Sequence, residues 1–111
     1  MSFDALTPRP RPAAVFFERR ELDLILRLYG RMVAAAEWRD YAIDSNSEAC
    51  TFSVFRRASE FPLYRIEKRP ALARRQGAWA VIGSGGVILK RGRDLEPVLG
   101  FLDRRRFSLV E

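Results

Sequence analysis

The chain has no histidine, one cysteine and only two lysines among its 111 residues. Without histidine it lacks the commonest general base, the usual zinc ligand and any Ser–His or Cys–His pairing. The single Cys50 excludes an internal disulfide and cannot by itself build a nitrogen–sulfur zinc site. A metal would need a carboxylate cluster, but the nearest acids, Glu18, Glu21 and Asp23, interleave with Arg19 and Arg20 and read as ion-paired helix residues. No apolar run approaches the roughly 20 residues that span a bilayer, and the start, MSFDALTPRPRP, carries neither a secretory leader nor a myristoylation pattern. These absences predict a cytoplasmic protein with no membrane partner, no cofactor and no catalytic constellation, hence not an enzyme.

What is present describes one globular domain. Hydrophobic residues make up 48% of the chain and charged residues 31%, a balance that can bury a core. The net charge of +6 is uneven: residues 1–55 balance at −1, residues 56–93 at +8 and residues 94–111 at −1. An excess concentrated in one segment points to a polyanionic partner more than the total does, although solvated sheet faces and edge strands are also often basic. Arginine supplies 18 of the 20 basic residues. Guanidinium forks grip phosphates, but a genome favouring arginine codons gives the same bias, so the ratio alone supports nothing.

Along the chain, residues 1–14 alternate proline with arginine and predict a disordered arm, leaving 15–111 as a single domain. From Phe16 to Glu37 the pattern is helical, with Leu22, Ile25, Leu26, Tyr29 and Val33 in one stripe and Leu28, Met32 and Ala35 in a second. Trp38 then plugs an edge of the core. The period shifts to two: Tyr41 and Ile43, a turn at SNSE, then Cys50, Phe52 and Val54 inward predict a hairpin. PLYRIEK follows with Tyr64 and Ile66 inward, Arg65 and Glu67 outward and Pro62 at the first strand position. Pro70 and Gly77 bracket a short helical turn, AWAVIG and VILKR flank a glycine turn, and Asp94 caps a helix to about Arg105 with Leu95, Val98, Leu99 and Leu102 buried. The expected architecture is α+β: an N-terminal helix, about five antiparallel strands with a short helical turn, and a C-terminal helix packed on the sheet.

Three basic clusters stand out: Arg56 and Arg57; Lys68 and Arg69 with Arg74 and Arg75; and Lys90 and Arg91 with Arg93. With Arg65 they form the candidate nucleic-acid contacts. In a meander, clusters at strand ends would meet on one rim, a ridge about 20 Å long. Of the nearby aromatics Phe55, Phe61, Tyr64 and Trp79, Phe55 and Phe61 are the candidates for stacking on bases, the alternative being that all four pack in the core. The glycine turn GSGGVILK is not a phosphate loop, because a strand rather than a helix follows it.

The stretches FERRELDLILRLYGRMV, EWRDYAID, FSVFRRASEFPLYRIEKRP, LARRQGAW and GGVILKRGRDL together resemble a family of small bacterial proteins catalogued only as a domain of unknown function. The resemblance runs from Phe17 to Leu102 and implies a bacterial, soluble, free-standing protein, with no substrate, cofactor or catalytic residue to carry over. The sequence thus favours a non-catalytic basic module contacting DNA or RNA phosphates. The rival is a protein-interaction or homodimer-forming domain, using the doubly apolar first helix with Phe101, Phe107 and Leu109.

Overall fold

The computed structural model describes residues 13–57 and 61–110, of 106–110 the backbone only. The proline- and arginine-rich residues 1–12 of the expected arm lie outside the described part. Residues 15–17 run as a strap across one end of the sheet: the Val15 N–H donates to Asn46, the Ser45 hydroxyl to the Val15 carbonyl and Lys68 Nζ to the Phe16 carbonyl. Phe17 then stacks on Trp79, with centroids 6.0 Å apart.

The first helix, α1 (Arg19–Ala34), therefore starts later than the apolar pattern suggests. Glu18 caps it and donates its N–H to Glu21 Oε1 at 2.7 Å, closing a capping box. It ends where Ala36 turns left-handed, at φ 60°. Burial peaks at Ile25, Leu28 and Met32, between the two expected stripes, while Val33 and Ala35 face solvent. The correction is one of phase: the sheet meets the helix along the seam that both stripes border.

Five strands follow, β1 (Asp40–Ser45), β2 (Cys50–Phe55), β3 (Tyr64–Lys68), β4 (Trp79–Ile82) and β5 (Ile88–Gly92), then α2 (Leu95–Val110). They form an antiparallel meander in the order β1-β2-β3-β4-β5. Pro62 precedes β3 rather than opening it, and the turn after Pro70 is a short 3-10 turn ending before Gly77. Ion pairs Arg20–Glu96 at 3.4 Å and Arg31–Asp103 at 3.3 Å join early turn to early turn and later to later, so the helices run parallel.

Both helices cover one face of the sheet. Beneath them lie Phe52, Val54, Ile66 and Val81, each fully buried, with Ile25, Leu28, Val98 and Leu102 above. Trp38 closes the edge of this core as expected, 4% exposed. The other face carries no helix, as antiparallel sheets allow. On it the register aligns Asp44, Thr51, Glu67, Ala80 and Arg91 in one row and Ala42, Ser53, Arg65 and Ile82 in the next. Asp44 and Glu67 thus sit on β1 and β3, and Arg65 and Arg91 on β3 and β5.

Candidate nucleic-acid interface

Antiparallel pairing decides where each basic cluster goes. The C-terminal ends of β2 and β4 share one end of the sheet with the glycine turn; the C-terminal ends of β1, β3 and β5 share the other. Arg56 and Arg57 therefore lie at the glycine-turn end, whereas Lys68, Arg69, Arg74, Arg75 and Arg93 lie at the opposite end. A strand of β2's length separates them by about 20 Å. Lys90 and Arg91 sit between, on the border strand β5. The single rim expected from the sequence does not form, because alternate strands deliver their ends in opposite directions.

Ion pairing divides the candidates again. Lys68 shares the helix-covered face with Ile66 and points at α1, where its Nζ meets Glu21 Oε1 at 2.7 Å and lies 5.8 Å from the Trp79 ring centroid. Its side chain is 15% exposed, so this ammonium is a structural group. Arg69 donates Nε to Glu67 at 3.1 Å and Nη1 to Glu48 at 3.3 Å, and these carboxylates raise its already high pKa. Arg56 reaches Glu37 at 3.8 Å. Arg91 donates Nη1 to the Gly77 carbonyl at 3.2 Å. By contrast, Arg65, Arg74, Arg75, Lys90 and Arg93 form no ion pair among the described residues.

The cause is legible in the chain. Between Glu67 and Asp94 there is no acidic residue, so the segment that builds β4, β5 and their connections carries no acid of its own beside its cations. Gly77 gathers them. Its φ is +101°, and a Cβ there would lie 2.3 Å from the Gly92 carbonyl carbon, so the turn bearing Arg74 and Arg75 packs directly on the end of β5. Arg74, Arg75 and Arg93 thus share a corner, from which Arg91 and Lys90 continue along β5 toward the glycine turn.

At that far end the structure forms a groove of about 500 Å³, lined by Phe61, Pro62, Arg65 and the turn from Gly83 to Gly86. Phe61 is 93% exposed. Gly85 and Gly86 both take positive φ, and nothing lies within 4 Å of a side chain built at either, so bare backbone faces the opening. Phe55 is only half-buried on the open face, but it pairs with Asp40, an acid that repels phosphate. Tyr64 and Trp79 are committed to the core side: Tyr64 accepts a hydrogen bond from Arg105 Nε at 3.1 Å, and Trp79 is 5% exposed. The glycine turn escapes sequence reasoning as a binding wall, because only the hairpin order places it beside residues 61–65.

Two further surfaces are less suited to a polyanion. A hollow of about 470 Å³ between the two helix N-termini is lined by Glu18, Glu21, Asp94 and Glu96 as well as Arg20 and Arg93. Around the β1 border, Phe16, Val33, Tyr41 and Ile43 are exposed, 42–66% each. Asp40 blunts that edge by accepting the Tyr41 N–H at 2.8 Å. Cys50 is buried, and burial raises its thiol pKa, so it packs as a small apolar residue.

These features define a two-layer α+β domain with parallel helices on one sheet face and a cationic border along β5. The chain belongs to the family described as "Protein of unknown function (DUF2794)", whose model matches residues 15–99. No curated protein and no solved structure matches it. Among the described residues no helix is long and apolar enough to cross a membrane.

Proposed function

We propose that this domain is a non-catalytic binding module that contacts nucleic-acid phosphates along its β5 border. The observation carrying this reading is the division of the cations. Arg56, Lys68 and Arg69 are held by the protein's own acids, while Arg65, Arg74, Arg75, Lys90 and Arg93 have no acid partner among the described residues. Exposed arginines without internal partners keep their counterions until a phosphate displaces them, which gives affinity a steep salt dependence. Five such contacts correspond to a slope of about −4 in log affinity against log salt. The test is a titration of DNA and RNA, single- and double-stranded, at two salt concentrations. Absence of binding in the micromolar range at low salt rejects the reading.

The rival, self-association, loses part of its basis in the fold. The apolar surface of α1 that suggested it is taken up by the core at Ile25, Leu28 and Met32, and Phe101 packs against the same core. Phe107 and Leu109 fall where side chains are outside the described part. The patch of Phe16, Val33, Tyr41 and Ile43 is what favours a second copy. Light scattering at high micromolar concentration decides: a monomer rejects it.

A further inference from the structure

Resting on the phosphate-binding reading, we infer that the partner is single-stranded and that one base stacks on Phe61 in the groove beside the glycine turn. A duplex buries its base faces in its own stack, so an exposed ring has nothing to pair with there; a single strand presents them. Phe61 is the most exposed large apolar side chain among the described residues, at 93%. An isolated exposed phenylalanine would be unremarkable in itself, but this one shares a groove with a guanidinium. Arg65 lines the same opening, forms no ion pair among the described residues and stands on the open face opposite Ser53 and Ile82.

The third wall completes the chemistry. Ser84, Gly85 and Gly86 are exposed, and the two glycines present backbone without side chains, so a sugar–phosphate chain can approach closely. At about 500 Å³ the opening lies within the size range of ligand grooves. From here the β5 border leads past Lys90, opposite Val81, and Arg91, on the open face opposite Ala80, to Arg74, Arg75 and Arg93. With β5 five residues long, that course covers about 17 Å at the rise of an extended strand. Apolar Val87 and Ile88, 59% and 51% exposed, follow the turn directly and extend the surface on which a neighbouring base can rest.

The experiment uses the full chain with a fluorescein-labelled 20-nucleotide single-stranded DNA of mixed sequence, the matching RNA and the DNA duplex. Phe61→Ala is a safe substitution for the fold, because the side chain contributes almost nothing to the core. It is expected to weaken both single strands about tenfold or more, to leave the duplex within twofold and to leave the salt slope unchanged, since stacking releases no counterions. Arg65→Ala instead is expected to reduce the slope by about one. Phe61→Trp adds an exposed indole whose fluorescence a stacked base quenches, against the buried Trp38 and Trp79. If Phe61→Ala binds every probe like the wild type, or if the duplex binds more tightly than the single strands, the inference is overturned while the phosphate reading stands. If no probe binds at low salt, both fall. If Phe61→Ala instead converts a dimer to a monomer in sedimentation, the groove is a protein contact and the inference is likewise overturned.

Discussion

Lys68 and Arg74 are six positions apart in one basic segment, yet the fold gives them opposite circumstances. Lys68 lies on the helix-covered face, its ammonium between Glu21 and the Trp79 ring. Arg74 lies on an exposed turn with no acid in reach among the described residues. The same contrast separates Arg69 and Arg56 from Arg75, Arg93 and Lys90. Strand parity and the position of the acids, not residue type, decide whether a cation holds the protein together or remains available. The acids cluster before residue 68 and after residue 93, so Arg56, Lys68 and Arg69 find carboxylate partners, whereas Arg74, Arg75, Lys90 and Arg93 find none among the described residues.

The largest effect is expected where that distinction is irrelevant. Phe52→Ala removes a fully buried ring beneath both helices and should cost about 3–5 kcal/mol in urea unfolding, enough to threaten folding of a small domain. Next comes Gly77→Ala, which meets both a left-handed φ and the Gly92 backbone at 2.3 Å. A loss of about 2–3 kcal/mol is expected, and because the turn must move, weaker nucleic-acid binding should accompany it. Lys68→Ala then sharpens the contrast directly. It strands the Glu21 carboxylate in a partly buried site and should cost about 2 kcal/mol of stability with little change in binding. Arg74→Ala with Arg75→Ala should do the reverse: within about 0.5 kcal/mol of wild-type stability but a salt slope smaller by about two.

The fold was legible where period and parity are local. The hairpin of β1 and β2, the inward set Phe52, Val54 and Ile66 and the α2 stripe of Leu95, Val98, Leu99 and Leu102 all follow from alternation or helical spacing. Phase was harder for α1, because apolar residues on two flanks leave the buried seam undetermined until the sheet is present. The site was legible as a list of residues but not as a surface. Lys68 and Arg69 are adjacent in sequence, and only strand pairing reveals that one points into the helix layer while the other reaches Glu67 and Glu48. Phe61 stood among the stacking candidates, yet its companion wall at Gly83–Gly86 is remote in the chain.

Two smaller effects probe the helix-covered side alone. Ala36→Gly relieves a left-handed alanine at the end of α1 and should stabilise by about 0.5–1 kcal/mol. Cys50 and Tyr29 both have raised pKa values, chiefly through burial. Each then ionises more readily in the unfolded chain, so stability should be unaffected below the ordinary thiol and phenol range and fall above about pH 9 as the unfolded chain gives up these protons first. Thiol alkylation should accordingly track unfolding rather than precede it.

The most direct measurement is the salt dependence of single-stranded DNA binding by the wild type, by Lys68→Ala and by an Arg74→Ala, Arg75→Ala, Arg93→Ala triple variant. A wild-type slope of about −4 is expected, with an unchanged slope for Lys68→Ala and a slope near −1 to −2 for the triple variant. Equal slopes in all three proteins, or a larger loss from Lys68 than from the β5-border arginines, would contradict it.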